Sequence, residues 1–254
     1  MMKKTLLLIS LPLFSLSCIA EETPQDMSDP LAVYTQAGFG ITDKGINLKI
    51  GQTYDTGNAD TAAMNIIEIK GIAGEQLGLR DADDYSSVDD SIDSFRFRNF
   101  SANMKNGSGR QIDMSYDVET ETLTSSYSIL QALPQIGIFS FFPLAGVGVT
   151  VQNDQTGVSG YSIPGTFALV GMYTKAQLTD KIWINYNPMY MSALSGSDTY
   201  KEDAYGEGNG DILTHEFAIS YQINARSNIR YFANWNEYTD ISKGDHRIEY
   251  NYQF

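Results

Sequence analysis

The sequence predicts an all-β chain: an antiparallel transmembrane β-barrel of twelve strands, or ten if the first hairpin lies outside the wall. Three observations predict it. Apolar and polar residues alternate with period two along most of the chain, and helical patterning is scarce. The alternating segments come to twelve, an even number. The connections between them are by turns short and long, as in barrels with tight turns at one end and extended loops at the other.

Composition narrows the class first. The 254 residues carry 17 Lys+Arg against 31 Asp+Glu, a formal charge of -14. Nucleic-acid binding needs a basic face, so this balance argues against it. Aromatics reach 12 %, with 22 Gly and only 7 Pro, which does not fit a disordered acidic chain. The single cysteine, Cys18, excludes a disulfide framework and a cysteine zinc site.

The chain opens with Met1-Met2-Lys3-Lys4 and an apolar run from Thr5 to Ser17. Cys18-Ile19-Ala20 then sets small residues at -3 and -1 of a cleavage point, the layout of a secretory signal peptide over 1–20. Cys18 also invites a lipoprotein reading, but Ser15-Leu16-Ser17 lacks the leucine at -3, so cleavage after Ala20 is expected. A polar leader, Glu21 to Pro30, follows.

Strands are expected near 31–40, 45–55, 62–74, 92–104, 109–118, 121–132, 138–152, 163–178, 181–193, 211–224, 227–237 and 246–254. Ile46, Leu48 and Ile50 alternate with Asn47, Lys49 and Gly51, and Ile112, Met114 and Tyr116 with Gln111, Asp113 and Ser115. Ile129 to Val151 is apolar enough to suggest a helix. Pro134, Pro143 and the Gly-spaced valines Val147, Val149 and Val151 favour two strands around a turn, with a bulge or strand start near Pro143. The longest connections, about 75–91 and 194–210, fall at the same end.

The last strand alternates most cleanly: His246, Ile248, Tyr250, Tyr252 and Phe254 against Arg247, Glu249, Asn251 and Gln253. Here the chain resembles Gram-negative outer-membrane β-barrel proteins, whose final strand carries alternating aromatics and a terminal Phe. The resemblance rests on Ile248, Tyr250, Tyr252 and Phe254 as a motif, and on pattern elsewhere. It implies residence in the outer membrane, contact with its lipid and lipopolysaccharide, and reading of that strand by the barrel-assembly machinery. The plan is then a signal peptide (1–20), a periplasmic leader (21–30) and a barrel (31–254), of unknown oligomeric state.

The register sets Lys49, Lys70, Arg96, Arg98, Arg230 and Arg247 on the inner face against Glu68, Asp113, Asp117, Glu216 and Glu249. Buried charges must be paired or wet, so they line a water-filled pore or close into a salt-bridged plug. Arg96 and Arg98, two apart, either attract anionic solutes or pair with nearby carboxylates. The acidic loop of Asp81, Asp83, Asp84, Asp89, Asp90 and Asp93 breaks the EF-hand register at Ser86 and Ile92 and reads as a solvated face. The second acidic loop gets the same reading, with Tyr200 and Tyr205 touching a ligand or packing locally.

Catalysis finds little support. Some outer-membrane lipid-modifying enzymes place His and Ser two apart on a strand, but Phe217 follows His215 and Ile248 follows His246 at that spacing. No metal or cofactor is expected. The reading is a narrow porin-like channel for passive diffusion of small hydrophilic solutes, anionic ones included. The alternative is a closed structural, adhesive or receptor barrel acting through its acidic loops.

Overall fold

The structure, a computed structural model, describes residues 23–74, 76–79, 92–154 and 158–254. The expected signal peptide and the loop residues Asp81, Asp83, Asp84, Asp89 and Asp90 lie outside them.

Period-two alternation requires an environment that differs on the two faces of every strand, and a sheet closed on itself supplies one. The described residues form β1 (Gln36–Thr42), β2 (Gly45–Tyr54), β3 (Thr61–Ile72), β4 (Ser94–Asn103), β5 (Ser108–Asp117) and β6 (Thr122–Gln131). There follow β7 (Phe139–Gln152), β8 (Ser162–Gln177), β9 (Ile182–Gly196), a short helix α1 (Asp198–Asp203), β10 (Asp211–Asn224), β11 (Ser227–Asn236) and β12 (Asp245–Gln253). Each strand pairs antiparallel with its chain neighbours, and β1 pairs with β12 to close a twelve-strand barrel. Closure leaves no unpaired sheet edge, so every strand has a ladder on both sides.

β12 shows what the two faces carry. Ile248 and Tyr250 are 56 % and 43 % exposed, while Glu249, Asn251 and Gln253 are 6 %, 2 % and 1 % exposed. Apolar side chains point out and polar ones in, the reverse of a water-soluble barrel. Large inner side chains are accommodated by glycines on the facing strand. A Cβ on Gly148 would lie 2.1 Å from Cζ of Phe167, so only glycine lets that ring fill the interior.

Two expectations are corrected. β1 starts at Gln36, not near 31, because the side chains of Asp26 and Asp29 accept the backbone N–H groups of Ser28 and Leu31 and turn the preceding chain back on itself. Pro143 causes no bulge in β7. The β6–β7 ladder ends at the Leu130–Leu144 pair, so no N–H from residue 143 is required. The tight turn after β5 is made by Glu121 at φ 47° and by Asp117, whose Oδ1 accepts Thr120 N–H at 2.8 Å.

The wall is uneven in height. β7, β8 and β9 have 14, 16 and 15 residues, whereas β1 has 7.

Candidate functional site: the barrel lumen

A cavity of about 940 Å³ occupies the lumen, bordered by Lys49, Arg98, Arg230, Trp183 and Tyr34 among others. Its walls differ sharply in chemistry.

One wall is a belt of cations on β11, β12, β2, β3 and β4, strands that meet around the closing seam. Lys49 donates to Glu249 at 2.7 Å, and Arg247 Nε lies 3.3 Å from the other Glu249 oxygen. The second contact is near enough to pair charges but is not aligned as a hydrogen bond. Arg98 and Lys70 share Glu68, the lysine at 3.7 Å. Arg96 grips Asp113 in a two-pronged pair, its Nε at 2.8 Å. The pairing reading therefore describes Arg96 and Arg98: both guanidiniums are held by carboxylates.

Arg230 differs. Its Nε donates to Ser220 and its Nη2 to Asn185, both at 2.9 Å, and no carboxylate lies within ion-pairing distance among the described residues. Its guanidinium stacks 4.6 Å from the centre of the Phe232 ring, and that of Arg247 stacks 4.1 Å from the same ring. Lys49, Lys70, Arg96, Arg98, Arg230 and Arg247 thus meet only Glu68, Asp113 and Glu249 in the belt. Glu216, held by Asn187 at 2.8 Å, makes no ion pair with the belt but lies within electrostatic reach of Arg230, and Asp117 is engaged by the Thr120 turn at the rim.

The other wall is apolar. Met64, Ile66, Phe100, Leu130, Phe142, Leu144, Phe167 and Leu169, on β3, β4 and β6–β8, form one buried cluster inside the barrel, and Leu31 of the leader belongs to it. Residues 23–35 enter the lumen at the end where β1 begins and β12 ends. Gln25 exchanges hydrogen bonds with Gln253, each at 2.9 Å. Asp26 lies 3.5 Å from Lys175 Nζ, which also donates to Ser28 at 2.7 Å. Met27 Sδ accepts Asn228 at 3.5 Å and Gln222 at 3.4 Å. Tyr34 sits within electrostatic reach of Arg230 and Glu249.

At the opposite end the β9–β10 loop folds inward. Ser197 caps α1 by accepting Tyr200 N–H at 3.0 Å, which aims Tyr200 back at the wall. Its hydroxyl meets Thr150 Oγ1 at 2.9 Å, and its ring packs where a Cβ on Gly165 would come within 2.2 Å. Tyr200 therefore packs locally.

Both histidines face outward. His215 Nδ1 meets the Tyr186 hydroxyl at 2.8 Å and its ring stacks 5.0 Å from Trp235, while His246 Nδ1 meets the Tyr231 hydroxyl at 2.8 Å. The described residues contain no group of three or more His, Cys, Asp or Glu able to hold a metal ion. In the last strand Ile248, Tyr250 and Tyr252 lie on the outer face, and Phe254 N–H donates to Thr35 at 3.0 Å beside the seam.

The interior leader, the Lys175 contact and the doubly stacked Phe232 were not anticipated from sequence. One signal was available: Leu130, Phe142, Leu144, Phe167 and Leu169 are inner positions with apolar neighbours outside as well, so those strands are apolar on both faces. A strand apolar on both faces is one that is covered on both.

No family model and no curated protein matches the sequence. Solved structures do. The NanC porin aligns with a TM-score of 0.53 at 6 % identity, over 88 % of this chain and 99 % of that one. The KdgM porin in complex with disordered oligogalacturonate gives 0.47 at 8 % identity, over 87 % and 99 %. The translocator domain of the autotransporter NalP from Neisseria meningitidis gives 0.47 at 12 % identity, over 89 % and 91 %. The NanC likeness is one of fold: a closed twelve-strand antiparallel barrel.

Proposed function

We propose that this protein is a narrow porin-like channel of the outer membrane, passing small hydrophilic solutes by diffusion and favouring anions. The observation that carries the reading is the belt of six cations and three carboxylates, of which Lys49, Lys70, Arg96, Arg98, Arg230 and Asp113 border a cavity of about 940 Å³. Uncompensated positive charge in a confined lumen raises the local concentration of anions and slows cations. Within the belt, Arg230, which borders the cavity and has no carboxylate in ion-pairing distance among the described residues, is assigned to solute contact. Arg96 and Arg98 set the background potential through their pairs.

The outer face supports a bilayer setting, since exposed Ile50, Ile67, Val147, Val170 and Ile248 present apolar surface to it. Outer-membrane lipid and lipopolysaccharide are the surroundings this implies. The terminal strand, with Ile248, Tyr250, Tyr252 and Phe254, is the segment assigned to the barrel-assembly machinery. The protein is read as non-enzymatic: each histidine meets a tyrosine hydroxyl on the outer face rather than a serine.

A second reading, a closed barrel acting through its loops, is favoured by the leader seated in the lumen. Planar-bilayer recording of the refolded chain from Glu21 onward separates the two. Discrete steps with a reversal potential displaced toward anions support the channel. Silence from protein that still shows a heat-sensitive gel shift supports the closed barrel.

A further inference from the structure

We propose that the apolar inner wall of β3, β4 and β6–β8 is a docking seat for the chain's own residues 23–35, and that this segment is a displaceable plug. The inference rests on the channel reading and adds to it a gate.

The seat has no other evident purpose. A lumen that is water-filled along its length has no use for Phe100, Phe142, Phe167, Leu144 and Leu169 on its inner face, because apolar lining resists wetting. Here those side chains are 2–6 % exposed, and Leu31, itself 7 % exposed, packs among them. The polar groups match too. Lys175, whose side chain is 13 % exposed, meets the leader's Asp26 and Ser28, and Gln222 and Asn228 meet Met27.

The leader is also built to leave without damaging the barrel. It contributes no strand, and each of the twelve strands has both ladders without it. Its turns satisfy themselves: Asp29 N–H donates to the Asp26 carbonyl and Ala32 N–H to that of Asp29, while the two aspartate side chains accept Ser28 and Leu31. Between the Gln25–Gln253 exchange and Thr35, whose carbonyl accepts Phe254 N–H at the entry to β1, it is held by side chains alone. Displacement exchanges these contacts for water, and closing restores them.

Cross-linking tests this on the full mature chain, which has no cysteine after Cys18. Met27→Cys with Asn228→Cys would be joined by a short, reducible bifunctional thiol reagent, with the gel shift confirming that the barrel is folded. The expected result is openings at least about tenfold rarer while the leader is tethered, restored on reduction. A second variant, Leu31→Glu, unseats the leader without a link and is expected to raise open time and expose residues 23–35 to protease. Equal conductance in tethered and reduced protein overturns the plug and leaves the channel standing. Silence in all states, Leu31→Glu included, overturns the channel reading and the gate with it.

Discussion

Lys49 and Glu249 meet at 2.7 Å across a strand that belongs to neither of them. Lys49 lies on β2 and Glu249 on β12, with β1 between. The bridge passes over Gly38, where a Cβ would stand 2.9 Å from Lys49 Cε and 2.7 Å from Asn251 Oδ1. The first and last strands are thus fastened by a charge pair as well as by their ladder. Glu249→Ala leaves Lys49 and Arg247 without their carboxylate, and removing one partner of a buried pair typically costs about 3–5 kcal/mol. Urea unfolding of the refolded protein should show that loss. The double variant Lys49→Met with Glu249→Leu should recover only the part due to Lys49, because Arg247 still lacks its carboxylate.

Selectivity should follow charge excess, not charge number. Arg230→Gln with Arg247→Gln removes the two cations stacked on Phe232 and should move the reversal potential toward zero. Arg96→Gln with Asp113→Asn removes a matched pair and should leave it nearly unchanged. Equal shifts in the two variants would place the selective contacts elsewhere in the lumen.

The leader should loosen in acid. Burial disfavours charge on Asp26, but hydrogen bonds from Ser28 and the charge of Lys175 outweigh it, and its carboxyl is held below the ordinary 3.8. A depressed carboxylate stabilises the docked leader at pH values above 3.8, and that contribution is lost as the pH falls through the lowered value. The Asp26 side chain is 65 % exposed, so the effect is modest. A spin label on Thr23→Cys should gain mobility as the pH drops below the carboxylate range. In the Asp26→Asn background that pH dependence should vanish, with the label already more mobile at neutral pH.

Tyr200 should hold the β9–β10 loop against the wall. Tyr200→Ala removes the hydroxyl contact with Thr150 and the ring lying on Gly165. Hydrogen exchange in residues 197–210 should rise several-fold while β8 and β9 stay protected. Tyr200→Phe, which keeps the ring, should show a smaller change.

Much of the wall was legible because a barrel writes its two solvents into alternate residues. Ile248 and Glu249, adjacent in sequence, differ in exposure by 56 % against 6 %. Inner charges could be assigned by parity alone, but their partners could not. Whether Arg98 finds Glu68 depends on the stagger between β3 and β4, a property of closure rather than of either strand. The leader was least legible. Thr23 to Tyr34 has no period, and its position depends on an apolar wall assembled from five separate strands.

The uneven wall has a consequence for the surrounding lipid. At about 3.3 Å per residue and a tilt near 40°, the seven residues of β1 rise about 18 Å and the sixteen of β8 about 40 Å. The apolar band of such barrels is about 25 Å tall. The short side therefore draws the two leaflets toward each other beside the seam, at a fraction of a kcal/mol per ångström of mismatch. Proteins that pinch a bilayer on one flank lower the shared deformation by lying flank to flank, which gives this barrel a preferred heading within a crowded membrane.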